Sequence, residues 1–249
     1  MIPHEAHDVR SLSLTYYDGY HIGAHRHGWA QLIYARSGMM RVLTGGIIWL
    51  VPPTRAIWIP ANTEHEFACR GEVAFRTLYV AAERSELVMR EIGSFEVSPL
   101  LGELILHILS QEMLDPQLPT HDRLAGVLVD LINAAPPIDL MLPLPTDARA
   151  RRLAEHFQSR PDDCTGLPGL AAQAGASVRT VQRQFISETG MTVDAWRQKA
   201  RLIASTATLS SGGSVTDAAL DSGYSGTSAF IAAFKQHFAM TPGQFAKMR

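Results

Sequence analysis

Residues 167–190, LPGLAAQAGASVRTVQRQFISETG, decide how the chain is read. A short helix over Leu167–Ala174 ends at Gly175, whose missing Cβ suits a turn with positive φ. Ser177 is a good N-cap for the helix that follows, because its hydroxyl can accept from a free N–H of the first turn. In that helix Val181 and Phe185 sit four apart and pack inward, while Arg179, Gln182 and Arg183 point elsewhere. Arginine can grip guanine with two hydrogen bonds and glutamine can do the same to adenine, so such a helix suits the major groove of a duplex.

The pattern recurs in VTDAALDSGYSGTSAFIAAFKQHF, residues 215–238. Ala219 precedes Gly223 by four residues, as Ala171 precedes Gly175, and Phe230 and Phe234 take the places of Val181 and Phe185. The second turn is one residue longer. Between the two lies VDAWRQKARLIASTATL, which reads as a connecting helix of about 18 residues, roughly 27 Å long at 1.5 Å per residue. Two helices on such a rod suit successive major grooves, about 34 Å apart.

Residues 147–249 thus resemble the DNA-binding domain of the AraC/XylS family of bacterial regulators. The stretches that carry the resemblance are LAAQAGASVRTVQRQF, ETGMTVDAWRQKARL and, above all, DSGYSGTSAFIAAFKQHFAMTPGQF. Carried over by position, the resemblance puts base contacts on Arg179, Gln182 and Arg183, with Ser177 and Thr180 at the start of the same helix. In the second unit they fall on Thr227, Ser228 and position 232. Relatives often carry arginine at that last position, but here it is Ala232. The first unit is therefore expected to carry more of the specificity, with Lys235 and nearby backbone amides holding phosphates.

Toward the N-terminus the pattern changes. From Arg10 to about Val80, SLSLTYY, WAQLIYA, MMRVLT, GIIWLV, RAIWIP and VAFRTLYV are short, β-branched and aromatic, and turn signals separate them. Many short strands at this spacing predict an antiparallel sandwich or barrel. After Pro99 a helical period sets in. A helix over 99–114 places Leu101, Ile105, Ile108 and Leu109 on one face, and it is the candidate dimer contact unless it packs on its own barrel. A second helix over 119–134 carries Leu124, Val127, Leu128 and Leu131. Prolines at 136, 137, 143 and 145 then read as a semi-rigid linker. The expected fold is α+β in two domains. A cupin-like antiparallel barrel (1–98) is followed by a helical dimerisation or linker region (99–135), a Pro-rich linker (136–146) and an all-α double helix-turn-helix domain (147–249).

In the barrel, His25 and His27 lie two apart, Gln31 follows four on, and IPANTEHEF supplies His65. Residues two apart share a strand face. The set is similar to the metal motif of cupin barrels, with two departures: Gln31 stands where glutamate is common, and ANTE replaces a glycine turn. Three histidines suit Zn, Fe, Ni, Cu or Mn, and the lost carboxylate weakens the hold on hard cations. A metal-free pocket lined by the same histidines stays open beside the metal reading. Trp29, Tyr34, Trp49 and Trp58 could line the cavity, although Tyr34 and Trp49 read as core. Arg55, in an otherwise apolar strand, suggests an anion partner or a structural ion pair.

Charge separates the halves. Residues 1–146 carry 10 Lys/Arg against 16 Asp/Glu, and residues 147–249 carry 12 against 8, so only the second half is suited to a polyanion. Two cysteines far apart, Cys69 and Cys164, give neither a disulfide framework nor a zinc pattern. The polar start MIPHEAHDVR lacks a secretory signal, and no apolar run is long enough to span a membrane. The function expected is that of a cytoplasmic transcription regulator, not an enzyme, bound to double-stranded DNA and switched by a small molecule or metal. A homodimer is expected, with RNA polymerase as a partner if the protein activates. The alternative is a metal-dependent cupin enzyme fused to a DNA-binding domain.

Overall fold

The computed structural model describes residues 7–163 and 165–247. Cys164, the first six residues read for a leader and the last two of the DNA-binding segment lie outside the described residues. The strands run β1 (Val9–Tyr16), β2 (His21–His25), β3 (Ala30–Ala35), β4 (Met39–Thr44), β5 (Ile47–Val51), β6 (Arg55–Ile59), β7 (His65–Arg70) and β8 (Val73–Val80). Then come α1 (Ala82–Ser85), β9 (Gly93–Glu96), α2 (Pro99–Ser110), β10 (Met113–Leu114), α3 (Pro119–Ala134) and β11 (Met141–Pro143). The remainder is helical: α4 (Ala148–Ser159), α5 (Leu167–Gln173), α6 (Val178–Thr189), α7 (Val193–Ser210), α8 (Val215–Asp221), α9 (Thr227–Phe238) and α10 (Pro242–Lys247). Two compact units result. One holds the chain up to Thr44 with Val51–Asp139, and the other holds Gly45–Leu50 with the chain from Leu140 on.

The first unit is built on a six-stranded antiparallel sheet, β10-β1-β8-β3-β6-β9. Pairing of Leu12 with Thr77, of Leu14 with Phe75 and of Gln31 with Tyr79 fixes which side chains share a face. The opposite face, with Val9, Leu32, Tyr34, Trp58, Leu78 and Val80, forms one core with Leu101, Leu104, Ile105 and Ile108 of α2 and Leu128 and Ile132 of α3. Against the first face lie β4, β7 and β2, paired through Val42–Phe67 and Ile22–Phe67. Phe67 meets Tyr16 and Phe75 at ring separations of 5.7 and 5.1 Å, so the two sheets enclose a lumen. The expected antiparallel barrel followed by helices is present.

Four details differ from expectation. α2 stops at Ser110 instead of 114, because Glu112 turns through φ 63° and Met113–Leu114 pairs with Val9 and Arg10 as an edge strand. The apolar face of α2, offered above as a dimer contact, is buried within its own unit. α3 is rotated from the predicted face: Ala125, Leu128, Val129 and Ile132 are buried, whereas Val127 is 44% exposed. The Pro-rich stretch does not run as a free spacer. Proline has lost its donor but keeps its carbonyl, and Pro136 O accepts from Glu96 N at 3.0 Å, while Met141–Pro143 pairs with Ile47–Trp49 in the second unit.

In the second unit α7 is the central rod, 18 residues long. Trp196 on it is fully buried and meets Phe185 of α6 at 5.8 Å and Phe157 of α4 at 6.4 Å. Further along, Phe230, Phe234 and Phe238 of α9 pack with Phe245 of α10. The two turn glycines adopt the expected positive φ, 74° at Gly175 and 73° at Gly223. They differ in surroundings. A Cβ on Gly175 would meet only Arg152, at 3.9 Å, whereas one on Gly223 would stand 2.8 Å from Pro161 O and 2.9 Å from Arg201 Nη2.

Candidate nucleic-acid interface and histidine site

Ser177 caps α6 as expected: its Oγ accepts from Thr180 N at 3.2 Å and lies 2.9 Å from Thr180 Oγ1. Val181 and Phe185 are buried, and Arg179, Gln182 and Arg183 are exposed on the opposite side. The back of the helix is anchored as well. Gln184 Nε2 donates to Asp147 Oδ2 at 3.2 Å, and the Glu188 carboxylate accepts from the backbone N–H of Thr146 and Asp147 at 2.6 and 3.0 Å. The hydrogen bonds Asp147 receives from Arg149 and Gln184 hold its carboxyl well below the usual carboxylate range. Sequence reasoning did not pick out Gln184, Glu188 or Asp147, since the partners are about 40 residues apart.

α9 has the same length as α6, 12 residues, but a barer front. Gly226 offers no side-chain cap, Thr227 is partly covered, and Ser228, Ala232 and Lys235 are exposed. Position 232, an expected base contact, carries only the methyl group of Ala232. Each unit pairs a short helix with a 12-residue helix through a tight turn, the geometry with which the second helix of such a motif enters the major groove.

In the first unit, His25, His27 and His65 come together, their ligand atoms all within 4.8 Å of one another. Strand pairing sets His25 opposite His65, and His27 follows from the end of β2. Each ring is oriented by a backbone carbonyl two residues away: His25 Nδ1 to Gly23 O at 2.9 Å, His27 Nδ1 to Trp29 O at 2.7 Å, and His65 Nδ1 to Thr63 O at 2.9 Å. A carbonyl only accepts, so Nδ1 carries the proton in all three rings and Nε2 is left to bind. Ordered this way, the rings match metal-ligating histidines, whose second nitrogen donates to a carbonyl or carboxylate. Burial pushes His65 down to about 4, with His25 and His27 adding to the effect, so its ring is uncharged at neutral pH.

Gln31 belongs to the same cluster. Thr77 Oγ1 donates to Leu32 O at 2.9 Å and so accepts from Gln31 Nε2 at 3.1 Å. This fixes the amide and leaves Gln31 Oε1 3.2 Å from His27 Nε2. Two acceptors facing each other at that distance need a proton or a metal ion to satisfy both. Tyr79, with its ring 5.3 Å from His27, completes the wall, and burial raises its phenol. Thr77 and Tyr79 were not singled out from sequence. Their signal was the alternation in VAFRTLYV, which turns Phe75, Thr77 and Tyr79 to one side. Of the other expected lining residues, Tyr34 and Trp58 belong to the helix-facing core, with Trp58 Nε1 donating to Met89 O at 3.0 Å. Arg55 is buried beside Glu96 at 3.8 Å and donates to Thr54, which is the structural ion pair of the two alternatives.

The chain matches two family models, an AraC-like ligand binding domain over residues 11–155 and a helix-turn-helix domain over residues 170–248. It is 31% identical over 222 residues to the HTH-type transcriptional regulator NimR of Escherichia coli, covering 89% of this chain and 81% of the relative. It is 26% identical to the HTH-type transcriptional regulator RipA of Corynebacterium glutamicum, covering 87% of this chain and 61% of that one. A solved structure of ToxT from Vibrio cholerae aligns over 97% of this chain and 98% of its own, with TM-score 0.41 and 9% identity. With a ligand-binding barrel at its start and paired helix-turn-helix units at its end, the chain belongs to the AraC family of DNA-binding transcription regulators.

Proposed function

We propose that the barrel's ligand includes a divalent transition metal, held by Nε2 of His25, His27 and His65 with Gln31 Oε1 as a fourth donor, and that its presence sets the affinity for DNA. One observation carries this: three rings locked by backbone carbonyls and one amide locked by Thr77 turn four lone pairs to one place. The ligand nitrogens lie within 4.8 Å of one another, whereas two nitrogens on one tetrahedral zinc stand about 3.4 Å apart, so binding would draw the rings together by up to about 1.4 Å. An all-neutral N₃O set suits Zn, Ni, Cu or Fe better than hard cations. The group would supply positive charge inside an apolar lumen. The barrel senses rather than catalyses, a reading supported by the absence of a carboxylate from the donor set.

On the DNA side, α6 reads bases through Arg179, Gln182 and Arg183, with Ser177 and Thr180 at its start. α9 contributes Thr227, Ser228 and the phosphate contact of Lys235. The exposure of Ser177, Arg179, Gln182, Arg183, Ser228 and Lys235 opposite the buried face supports the assignment, with Thr180 and Thr227 partly covered beside them. Action in the cytoplasm as a homodimer, with RNA polymerase as partner where it activates, belongs to the same reading and rests on family membership. No helix among the described residues is long and apolar enough to cross a membrane.

A ligand shifts DNA affinity only by binding the two states differently. Operator fragments found by genome-wide mapping, titrated with metal-loaded and chelator-treated protein, test this. Elemental analysis should find about one ion per chain, His65→Ala should abolish it, and affinity should differ about 5- to 150-fold between the forms. Equal affinity with and without the ion would rule out a sensing role.

A further inference from the structure

The fronts of α6 and α9 correspond residue by residue, because both helices have 12 residues and are held from behind at the same places. Phe230 and Phe234 are buried, as Val181 and Phe185 are, and they fix the rotation of α9. Ser228, Ile231, Ala232 and Lys235 then share one outward stripe, the last three standing three, four and seven residues after the first, and all four are exposed. Their counterparts on α6 are Arg179, Gln182, Arg183 and Ile186. The two stripes are inverted. α6 has hydrogen-bonding side chains in the middle and an isoleucine at the far end, whereas α9 has an isoleucine and an alanine in the middle and a lysine at the far end.

The first half of a recognition helix is the part that reaches base edges. At the two positions where α6 presents Gln182 and Arg183, the side chains of α9 carry no donor and no acceptor. Of the groups displayed in the major groove, the C5-methyl of thymine is the apolar one, and it is what an apolar side chain can distinguish. Ile231 is 37% exposed, and the short Ala229 and Ala232 beside it leave it the longest apolar group on this front. Its β-branch makes it a poorer helix former than those alanines. Ser228 lies one turn before the apolar pair and Lys235 one turn after it, so groups able to hold phosphates bracket the apolar centre. The excess of 12 Lys/Arg over 8 Asp/Glu in residues 147–249 favours a polyanion as the occupant of this face. We infer that α9 reads thymine, through contact of Ile231 and Ala232 with one or two C5-methyl groups in the major groove. This rests on the DNA contacts proposed above for α9 and names what the helix recognises there.

Full-length protein and a mapped operator provide the test. Each thymine is replaced in turn by deoxyuridine, which removes the methyl and keeps every hydrogen-bonding group, and affinity is followed by fluorescence anisotropy. Replacement at one or two positions should weaken binding about three- to fivefold each, the worth of one buried methyl. In Ile231→Ala, checked for an unchanged circular dichroism spectrum, the penalty at one of those positions should shrink below about twofold, because the partner of the methyl is gone. Ala232→Arg should move the preference at its position from thymine toward guanine, which arginine can hold through O6 and N7; an unchanged preference takes Ala232 out of the groove. Deoxyuridine tolerated at every thymine of a bound operator overturns the inference and leaves the DNA contacts standing. A penalty that Ile231→Ala leaves intact overturns the part given to Ile231. If that variant keeps the binding profile but transcribes poorly in vitro, the front meets a protein instead and the inference falls. Failure to bind any mapped fragment removes the proposed DNA contacts, and this inference with them.

Discussion

Arg183 lies in the exposed middle of α6, two residues before buried Phe185, so its side chain is free of any packing duty. Arg183→Ala should cost about 1–3 kcal/mol at the cognate operator and relax the base preference at one position, measured by fluorescence anisotropy on a set of single-base variants. An equal loss on every sequence would reduce Arg183 to a phosphate contact. At this scale the sequence was most informative where function and local structure coincide. Ser177 and Gly175 announce a helix start and a turn through their own backbone chemistry. His25, His27 and Gln31 announce a site by their spacing. Thr77 escaped notice because its role exists only once β8 lies beside β3, 46 residues away in the chain.

Among elements, the helices of the second unit were legible because each carries its own caps and buried positions at helical spacing. The stretch from Leu140 to Asp147 was not. Its prolines read as a spacer, but Leu140, Leu142 and Leu144 are buried, and Trp196 Nε1 donates to Pro143 O at 2.7 Å. With Glu188 holding Thr146 and Asp147, this segment is a strap fastened to α6 and α7. The partners are 41 to 53 residues apart, too far for any local pattern to reveal. The α3 face was misjudged for a related reason: small Ala125 makes the close contact, while the larger Val127 faces out. Trp196→Phe keeps an aromatic ring between Phe157 and Phe185 but leaves Pro143 O without its donor. Urea unfolding of the second unit should show a loss of about 1–3 kcal/mol with an unchanged m value. No loss would mean that water replaces the indole.

For the whole molecule, acid should act on the two units in different ranges. In the ion-free protein His65 binds a proton near pH 4 when folded and near 6.5 when unfolded. The unfolded chain thus takes up the proton first, and the stability of the barrel unit falls as pH drops from about 6.5 toward 4, by at most about 1.4 kcal/mol per pH unit. In the second unit Thr165 and His156 hold the Asp163 carboxyl below its usual range, and Arg149 and Gln184 do the same for Asp147. Stability from those groups is present above the ordinary carboxylate range and is lost only as pH falls below about 4. Denaturation followed at pH 7, 5.5 and 4.5 should therefore show the barrel weakening first; simultaneous loss of both units would contradict the assignment. The paired glycine turns bear on how such a molecule tolerates change. Gly175 has room beside it and Gly223 is wedged against Pro161 and Arg201, so two repeats that look interchangeable on paper are unequal in their mutational freedom. On the proposed reading, the unit expected to read more bases is also the one whose turn meets only the φ penalty on substitution, while its twin adds a collision with backbone.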